Sequence, residues 1–253
     1  MSRTGLELGL GLVSIGRTWG VRQVQPPAEA DAFALLEKAV ALGIRVFDTA
    51  PAYGTSEARL GAFLATLPPA GREPLVIMTK AGEHWDEERA EPFVDHRRDA
   101  LVRSIDRSLE RLGRVDVLQI HKATQAIVTD PDVLSAIAYA RSCGIERIGA
   151  SVSDVAAGEA ALAAGCYGFL QFPLNTRSGT MLPLLAPIEQ AGATPVINRP
   201  FGMGALLDGD RDEAARRAFR HLDDHVRSGI VLTGTSRADH LAFNVEAFRT
   251  RRS

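Results

Sequence analysis

IRVFDTAPAYG, residues 44–54, leads an apolar run into a carboxylate, Asp48, and then a phenol, Tyr53. Ile44 to Phe47 reads as the buried part of a strand, RVFDTA (45–50). Gly54 and Ser56 read as a turn into a helix. A strand that ends on an acid and a tyrosine sets polar groups where the chain leaves the sheet. Whether the other strands end in the same way decides the fold.

Seven further runs read as strands: LGLGLVSIG (8–16), LVIMTK (75–80), DVLQIH (116–121), RIGASV (147–152), GFLQF (168–172), TPVINR (194–199) and GIVLTGT (229–235). The stretches between them have helical periodicity. Phe33, Leu36, Val40 and Gly43 recur on one face, as do Leu101, Ile105, Leu109 and Leu112, with Gly113 placed to end that helix. Ala215, Phe219, Leu222 and Val226 mark a third buried face. Eight strand–helix units in 253 residues give a period of about 32, the size of a βα crossover unit. Alternation of this kind predicts a parallel sheet covered by helices. Eight strands in one domain, 1–253, predict an α/β fold of the (β/α)8 TIM-barrel type. The alternative is an open doubly wound sheet. Against it, the glycines of GLGLVSIG lack the spacing of a dinucleotide fingerprint that opens a helix.

Composition excludes several function classes. The formal net charge is −2, with 24% charged and 45% hydrophobic residues, so neither nucleic acid nor an anionic membrane is an expected partner. No apolar run approaches the roughly 18 residues of a membrane span. The N-terminal run, broken by glycines, does not read as a signal peptide, and a cytoplasmic location is expected. Cys143 and Cys166 lie in no CxxC and near no histidine at ligand spacing, so both are read as buried small residues. No ligand cluster at metal spacing is present.

In a barrel, chemistry sits at the C-terminal ends of the strands. There the second strand delivers Asp48 and Tyr53, the third Lys80, and the fourth His121 followed by Lys122. Gly82, Glu83, His84 and Trp85 follow the third strand. The fifth ends near Ser151, Ser153 and Asp154, the sixth gives Gln171 and Asn175, the seventh Asn198 and Arg199, and the eighth runs into GTSR (234–237). Singly, such residues are most often solvated ends, turn formers or packing. Four at one end of three consecutive strands can converge, because adjacent strands lie about 4.8 Å apart. An ammonium beside a phenol favours phenolate, a carboxylate keeps the ammonium charged, and a neutral imidazole can donate to a carbonyl oxygen. Together they form a device that protonates a carbonyl oxygen while something else adds to its carbon.

DTAPAYGTSEARLG (48–61), MTKAG (78–82), LQIHKAT (118–124), RIGASVSD (147–154), LQFPLN (170–175) and VLTGTSRADHLAFNVEAF (231–248) resemble the aldo-keto reductase superfamily, in order and over essentially the whole chain. The resemblance implies an NAD(P)H-dependent oxidoreductase acting on a small-molecule carbonyl or alcohol. Tyr53 would be the general acid, completed by Asp48, Lys80 and His121. The implied cofactor is NADPH, with NADH possible, lying across the top of the barrel. Ser151 and Gln171 match residues that contact the carboxamide, with Val152 where relatives often carry asparagine. Asn244 matches the asparagine near the adenine. Gly234, Thr235 and Ser236 lie where the 2′-phosphate is met, Arg199 and His240 are further cofactor candidates, and Arg237 is the cation that would bind the phosphate. Relatives often carry a lysine at position 234 and an arginine at 240, which this chain lacks. Many relatives have longer loops, so the pocket is expected to be shallow or completed by a partner, with Trp19 and Trp85 as its apolar wall. Two other readings keep the same residues. In one, Lys80 is a Schiff-base nucleophile of a barrel aldolase; in the other, the barrel binds nicotinamide without catalysis and signals to a partner.

Overall fold

The computed structural model describes residues 5–21, 23–207 and 210–252. In chain order its elements are β1 (Gly5–Gly11), α1 (Val13–Gly16), α2 (Glu29–Ala41), β2 (Val46–Asp48), a 3-10 turn (Pro51–Tyr53), α3 (Ser56–Thr66), α4 (Pro69–Arg72), β3 (Val76–Ala81), β4 (Glu83–Asp86) and β5 (Glu91–Val94). They continue with α5 (Arg98–Leu112), β6 (Val117–Ala123), α6 (Pro131–Ser142), β7 (Arg147–Val152), α7 (Val155–Ala164), β8 (Phe169–Pro173), α8 (Leu185–Gln190), β9 (Thr194–Asn198), α9 (Arg211–His225), β10 (Ser228–Gly234) and α10 (Ala238–Arg249). Eight strands, β1-β2-β3-β6-β7-β8-β9-β10, pair in parallel and close back onto β1. This is the (β/α)8 barrel the alternation predicts, not the open sheet.

Strand alternation sorts the core into two compartments. Phe47, Ile77, Leu118, Ile148, Leu170, Ile197 and Val231 face outward into one continuous core with the helices. Val46, Met78, Val117, Val196, Ile230 and Leu232 pack inside the barrel. Each such side chain contributes about 1.5–3 kcal/mol when fully buried. Two residues beyond Val46, Met78, Val117 and Val196, on the same inward face, come Asp48, Lys80, Gln119 and Asn198. The apolar layer is therefore followed by a polar one, which lies toward the C-terminal end of the strands. The helices end as read: Gly113 takes the left-handed conformation (φ 73°) and donates its N–H to Leu109 O at 2.9 Å.

Three expectations are corrected. The run 8–16 is not one strand: β1 stops at Gly11, and Val13–Gly16 turns as α1. The reason is contact. A Cβ on Gly16 would lie 1.8 Å from Tyr53 O and 2.5 Å from Ser56 N, so this glycine seats the turn carrying Tyr53. The segment after β3 forms an antiparallel hairpin, β4–β5, outside the barrel sheet. Its second strand is fully exposed and its connection is charged, so no burial pattern announced it. Cys143 is exposed at the end of α6 and Cys166 half-buried, because the helix presents its Val133, Ala136, Ile137 and Ala140 face to the core. Among the described residues no helix is long and apolar enough to cross a membrane.

Candidate active site

The loop after β2 is built to hold Tyr53. Pro51 opens a single 3-10 turn, Tyr53 N–H donates to Ala50 O at 3.0 Å, and Gly54 follows at φ 59°. Gly54 passes so close to Gly16 O that a side chain there would collide with it. Ser56 Oγ donates to Leu12 O at 3.1 Å and shares a 2.8 Å hydrogen bond with Thr49 Oγ1. Below them Glu57 is fully buried and accepts hydrogen bonds from Thr79 and Ser108, each at 2.7 Å. The TSE of the motif is thus the mortar of the loop.

On this support the four sequence-predicted groups converge. Lys80 Nζ donates to Asp48 Oδ2 at 2.6 Å and to Thr49 O at 2.9 Å. Gln119 Nε2 donates to Asp48 Oδ1 at 3.0 Å, so both carboxylate oxygens are satisfied. Lys80 Nζ lies 5.0 Å from the centre of the Tyr53 ring, and the Tyr53 and His121 rings stand edge to face with centres 6.0 Å apart. Burial works against the Lys80 ammonium, but the attraction of Asp48 and then of Tyr53 wins, and its pKa lies above that of a free lysine. Burial pushes the Tyr53 phenol up; Lys80 pulls it back without cancelling that, and Asp48 adds to the rise. The ammonium therefore tempers this acid without making it a strong one. Tyr53 still keeps a partly exposed edge, as a group meeting substrate must. Burial, reinforced by Lys80, holds His121 well below the ordinary imidazole range, so the ring is neutral at pH 7.

Two residues without a role in the sequence reading complete the surroundings. Glu83, buried at the start of the hairpin, places Oε2 3.0 Å from His121 Nδ1 and Oε1 3.4 Å from Lys122 Nζ. Among the described residues Nδ1 makes no well-formed hydrogen bond. Lys122 is exposed where His121 is buried, and it reaches that orientation at φ 52° over a break in the β6–β7 register. Arg17, just past α1, lies with Cζ 5.3 Å from the Trp19 ring, 5.7 Å from Tyr53 and 5.8 Å from Trp85. Trp19 and Trp85 thus come together with Tyr53, though from elements outside the barrel sheet. The signal for Arg17 was only a lone cation in a glycine-bounded loop.

The cofactor candidates line the rest of the polar rim. Ser151 on β7 is in register with Gln171 on β8. Gln171 Nε2 and Asn198 Oδ1 are buried without hydrogen-bond partners. A donor and an acceptor left unpaired at this end suit a primary carboxamide, which offers both an acceptor and a donor. Asn175 is occupied in its own turn, donating to Arg199 O at 3.1 Å and accepting from Arg177 N at 3.0 Å. Arg199 is exposed, in the left-handed region at φ 55°. In the loop after β10, Gly234 is exposed and Thr235 Oγ1 accepts from Arg237 N at 3.1 Å. The Arg237 fork is held by Asp239, with Nη2 2.5 Å from Oδ2 and Nε 3.0 Å from Oδ1. His240 is in hydrogen-bond contact with Arg211, and Asn244 Nδ2 donates to Thr233 Oγ1 at 2.8 Å.

A closed parallel barrel thus carries a buried acid–lysine pair, a phenol and an imidazole together at the C-terminal end of its strands. Comparison with known proteins names the family: the aldo/keto reductase family model matches residues 7–224, and the chain belongs to that family. It is 32% identical over 262 residues to D-threo-aldose 1-dehydrogenase of a Pseudomonas species, covering 88% of this chain and 74% of that one. It is 38% identical over 128 residues to L-galactose dehydrogenase of Arabidopsis thaliana, covering 48% of this chain and 36% of the relative. A solved structure from Pseudomonas aeruginosa, assigned to the aldo-keto reductases, superposes with a TM-score of 0.82 at 27% identity, over 97% of this chain and 90% of that one.

Proposed function

We propose that this protein interconverts an aldehyde or ketone and its alcohol with NAD(P)(H), using Tyr53 as the group that gives and takes the proton. The observation that carries the reading is the buried Lys80–Asp48 pair at 2.6 Å beneath the Tyr53 ring. Ser151 and Gln171 would hold the nicotinamide carboxamide, and the Gly234–Arg237 loop with the first turn of α10 would hold a ribose phosphate. When bound, the nicotinamide supplies or accepts the hydride at the carbonyl carbon.

The chain's own residues do the rest. His121, neutral, can donate to the carbonyl oxygen and fix its position beside the phenol. Tyr53 then delivers its proton as negative charge grows on that oxygen. A phenol with a raised pKa still does this, because a developing alkoxide is more basic than a phenolate. Lys80 stabilises the phenolate left behind, and Asp48 with Gln119 keeps Lys80 charged and in place. The same pair speaks against the aldolase reading, since a Schiff base needs a neutral lysine. The dehydrogenase names of the relatives make a sugar one substrate class to try first, in the oxidative direction.

A fluorescence titration with NADPH and NADH, followed by a carbonyl panel with the protein and Tyr53→Phe, tests the proposal. We expect dinucleotide binding by both proteins and a loss of reduction of roughly 10²–10⁴-fold in the variant. Reduction at the parental rate by Tyr53→Phe would remove the phenol from the mechanism. Borohydride trapping of substrate on Lys80 would favour the aldolase, and tight binding with no turnover the non-catalytic barrel.

A further inference from the structure

Arg17 carries a charge that the catalytic tetrad does not use. Its guanidinium lies within 6 Å of three aromatic rings, Trp19, Tyr53 and Trp85. Its Nε is buried and has no hydrogen-bond partner. Among the described residues no carboxylate lies within 4.0 Å of it. Glu83, the buried acid of this neighbourhood, already faces His121 and Lys122, and Asp48 is taken by Lys80. Arg17 is close enough to His121 to help hold that ring neutral, together with Lys80.

Aromatic faces stabilise a cation but accept none of its in-plane N–H bonds. A guanidinium has five such donors in a rigid fork that matches a carboxylate. A buried donor left unpaired costs about 1–3 kcal/mol, so a native structure that keeps one usually reserves it for a partner. The backbone here is also fixed: Arg17 N–H donates to Val13 O at 3.2 Å, and Thr55 N–H donates to the O of the preceding Gly16, also at 3.2 Å. The cation is thus held beside the proton donor by the same turn that holds the donor.

We propose that Arg17 binds an anionic group of the substrate, and that the substrate class is a short carbonyl compound carrying a carboxylate, an oxo acid or aldehyde acid, or the matching hydroxy acid in reverse. This deepens the reading of Tyr53 as the proton donor and rests on it. The shortness follows from geometry: the Tyr53 ring is itself one wall of the Arg17 cage, so only a few bonds can separate the anion from the reacting carbonyl. The carboxylate is the anion of first choice because the fork is flanked by flat apolar rings, which suit a planar group.

The experiment compares matched pairs, succinic semialdehyde with butanal and 4-carboxybenzaldehyde with benzaldehyde, in the parent, Arg17→Met and Arg17→Lys. The expected result is a parental preference for the acids in kcat/KM. Arg17→Met should reduce that ratio by about 10- to 100-fold, mainly through KM, as befits a charged hydrogen bond, and Arg17→Lys should restore part of it. No parental preference, or an equal loss on acid and neutral partner, overturns the proposal. A second readout does not need turnover. Trp19 and Trp85 are the only two tryptophans, so intrinsic fluorescence reports this cage alone. Titration with butanoate should change it in the parent and Arg17→Lys but not in Arg17→Met, with butyramide silent throughout. A butanoate response without reduction of any aldehyde would uphold the anion site and fail the Tyr53 reading. No response to butanoate, or a tighter one to inorganic phosphate, would overturn the carboxylate assignment.

Discussion

Replacing Asp48 by asparagine isolates the charge on which the site is built. Lys80 and Asp48 form a pair at 2.6 Å with side chains 0% and 4% exposed. Asparagine keeps the shape of aspartate, and with its one oxygen on Lys80 its NH2 can donate to the unpaired Gln119 Oε1 once that amide turns, so the main change is the loss of charge. Breaking a buried pair on one side costs about 3–5 kcal/mol, because the surviving ion is left without compensation. The lysine has an escape, which is to lose its proton. From an unfolded pKa of about 10.4, neutralising it at pH 7 costs roughly 5 kcal/mol, which caps the loss. The two routes have nearly the same magnitude but leave different traces. In the parent the folded Lys80 pKa is raised, so the stability it contributes is complete below the unfolded value and is lost only as pH rises through the folded value. In Asp48→Asn the folded pKa falls below the unfolded one. The unfolded chain then binds more protons, and stability rises by up to about 1.4 kcal/mol per pH unit between pH 7 and 9. Urea melts of the parent, Asp48→Asn and Asp48→Asn/Lys80→Met at both pH values measure this. We expect the double variant to regain much of the loss. A single variant within about 1 kcal/mol of the parent at pH 7, or one with the parental pH dependence, would refute the reasoning.

Gly16→Ala should lower both stability and carbonyl reduction, because its Cβ would fall 1.8 Å from Tyr53 O and displace the turn; a urea midpoint and rate equal to the parent's would mean the turn is not a rigid seat. Arg237→Ala should weaken NADPH more than NADH, while Asp239→Ala, by freeing a fork now held at 2.5 Å, should tighten NADPH and leave NADH nearly unchanged. Fluorescence titration of both dinucleotides checks this, and an equal effect on both would remove Arg237 from phosphate binding. Because burial raises the Tyr53 phenol above its ordinary value, phenolate is scarce at neutral pH. Alcohol oxidation should therefore climb from pH 7 to 10 while carbonyl reduction stays nearly level. An oxidation profile flat over that range would place the base elsewhere.

What could be read from the sequence was what alternation makes periodic. Asp48, Lys80, His121, Ser151 and Gln171 each fall near the end of a strand, and a period of two puts Asp48, Lys80 and Gln171 on the same face as the apolar residues two before them, Val46, Met78 and Phe169. That periodicity located the barrel and placed the four candidate residues at one end of it without distances. Arg17, Glu83 and the hairpin at 83–94 escaped because they lie where no period holds. Glu83 opens an element whose second strand is exposed on both faces, so nothing in its pattern separates it from a loop. Gly16 ends a run that scores as a strand, and only its contact with Tyr53 O explains why the chain must turn there. The carry-over of Arg237 as a phosphate ligand meets a similar limit. An arginine two residues from an aspartate reads as a free cation in a sequence, whereas the helix start brings Asp239 onto its fork.

The two electrostatic findings point to one division of labour. Inside the barrel, charges are paid in full: Asp48 satisfies Lys80, and Gln119 satisfies Asp48. That network fixes geometry and neutralises its own charges, leaving Gln119 Oε1 unpaired. Further unpaired groups surround it: the Gln171 amide, the Asn198 oxygen and the Arg17 Nε. On the proposed mechanism, a site arranged in this way keeps its proton chemistry constant while Arg17, a loop residue, sets the preference for an anionic ligand. Exchanging Arg17 should then alter which carbonyl compound is taken without altering how the proton moves.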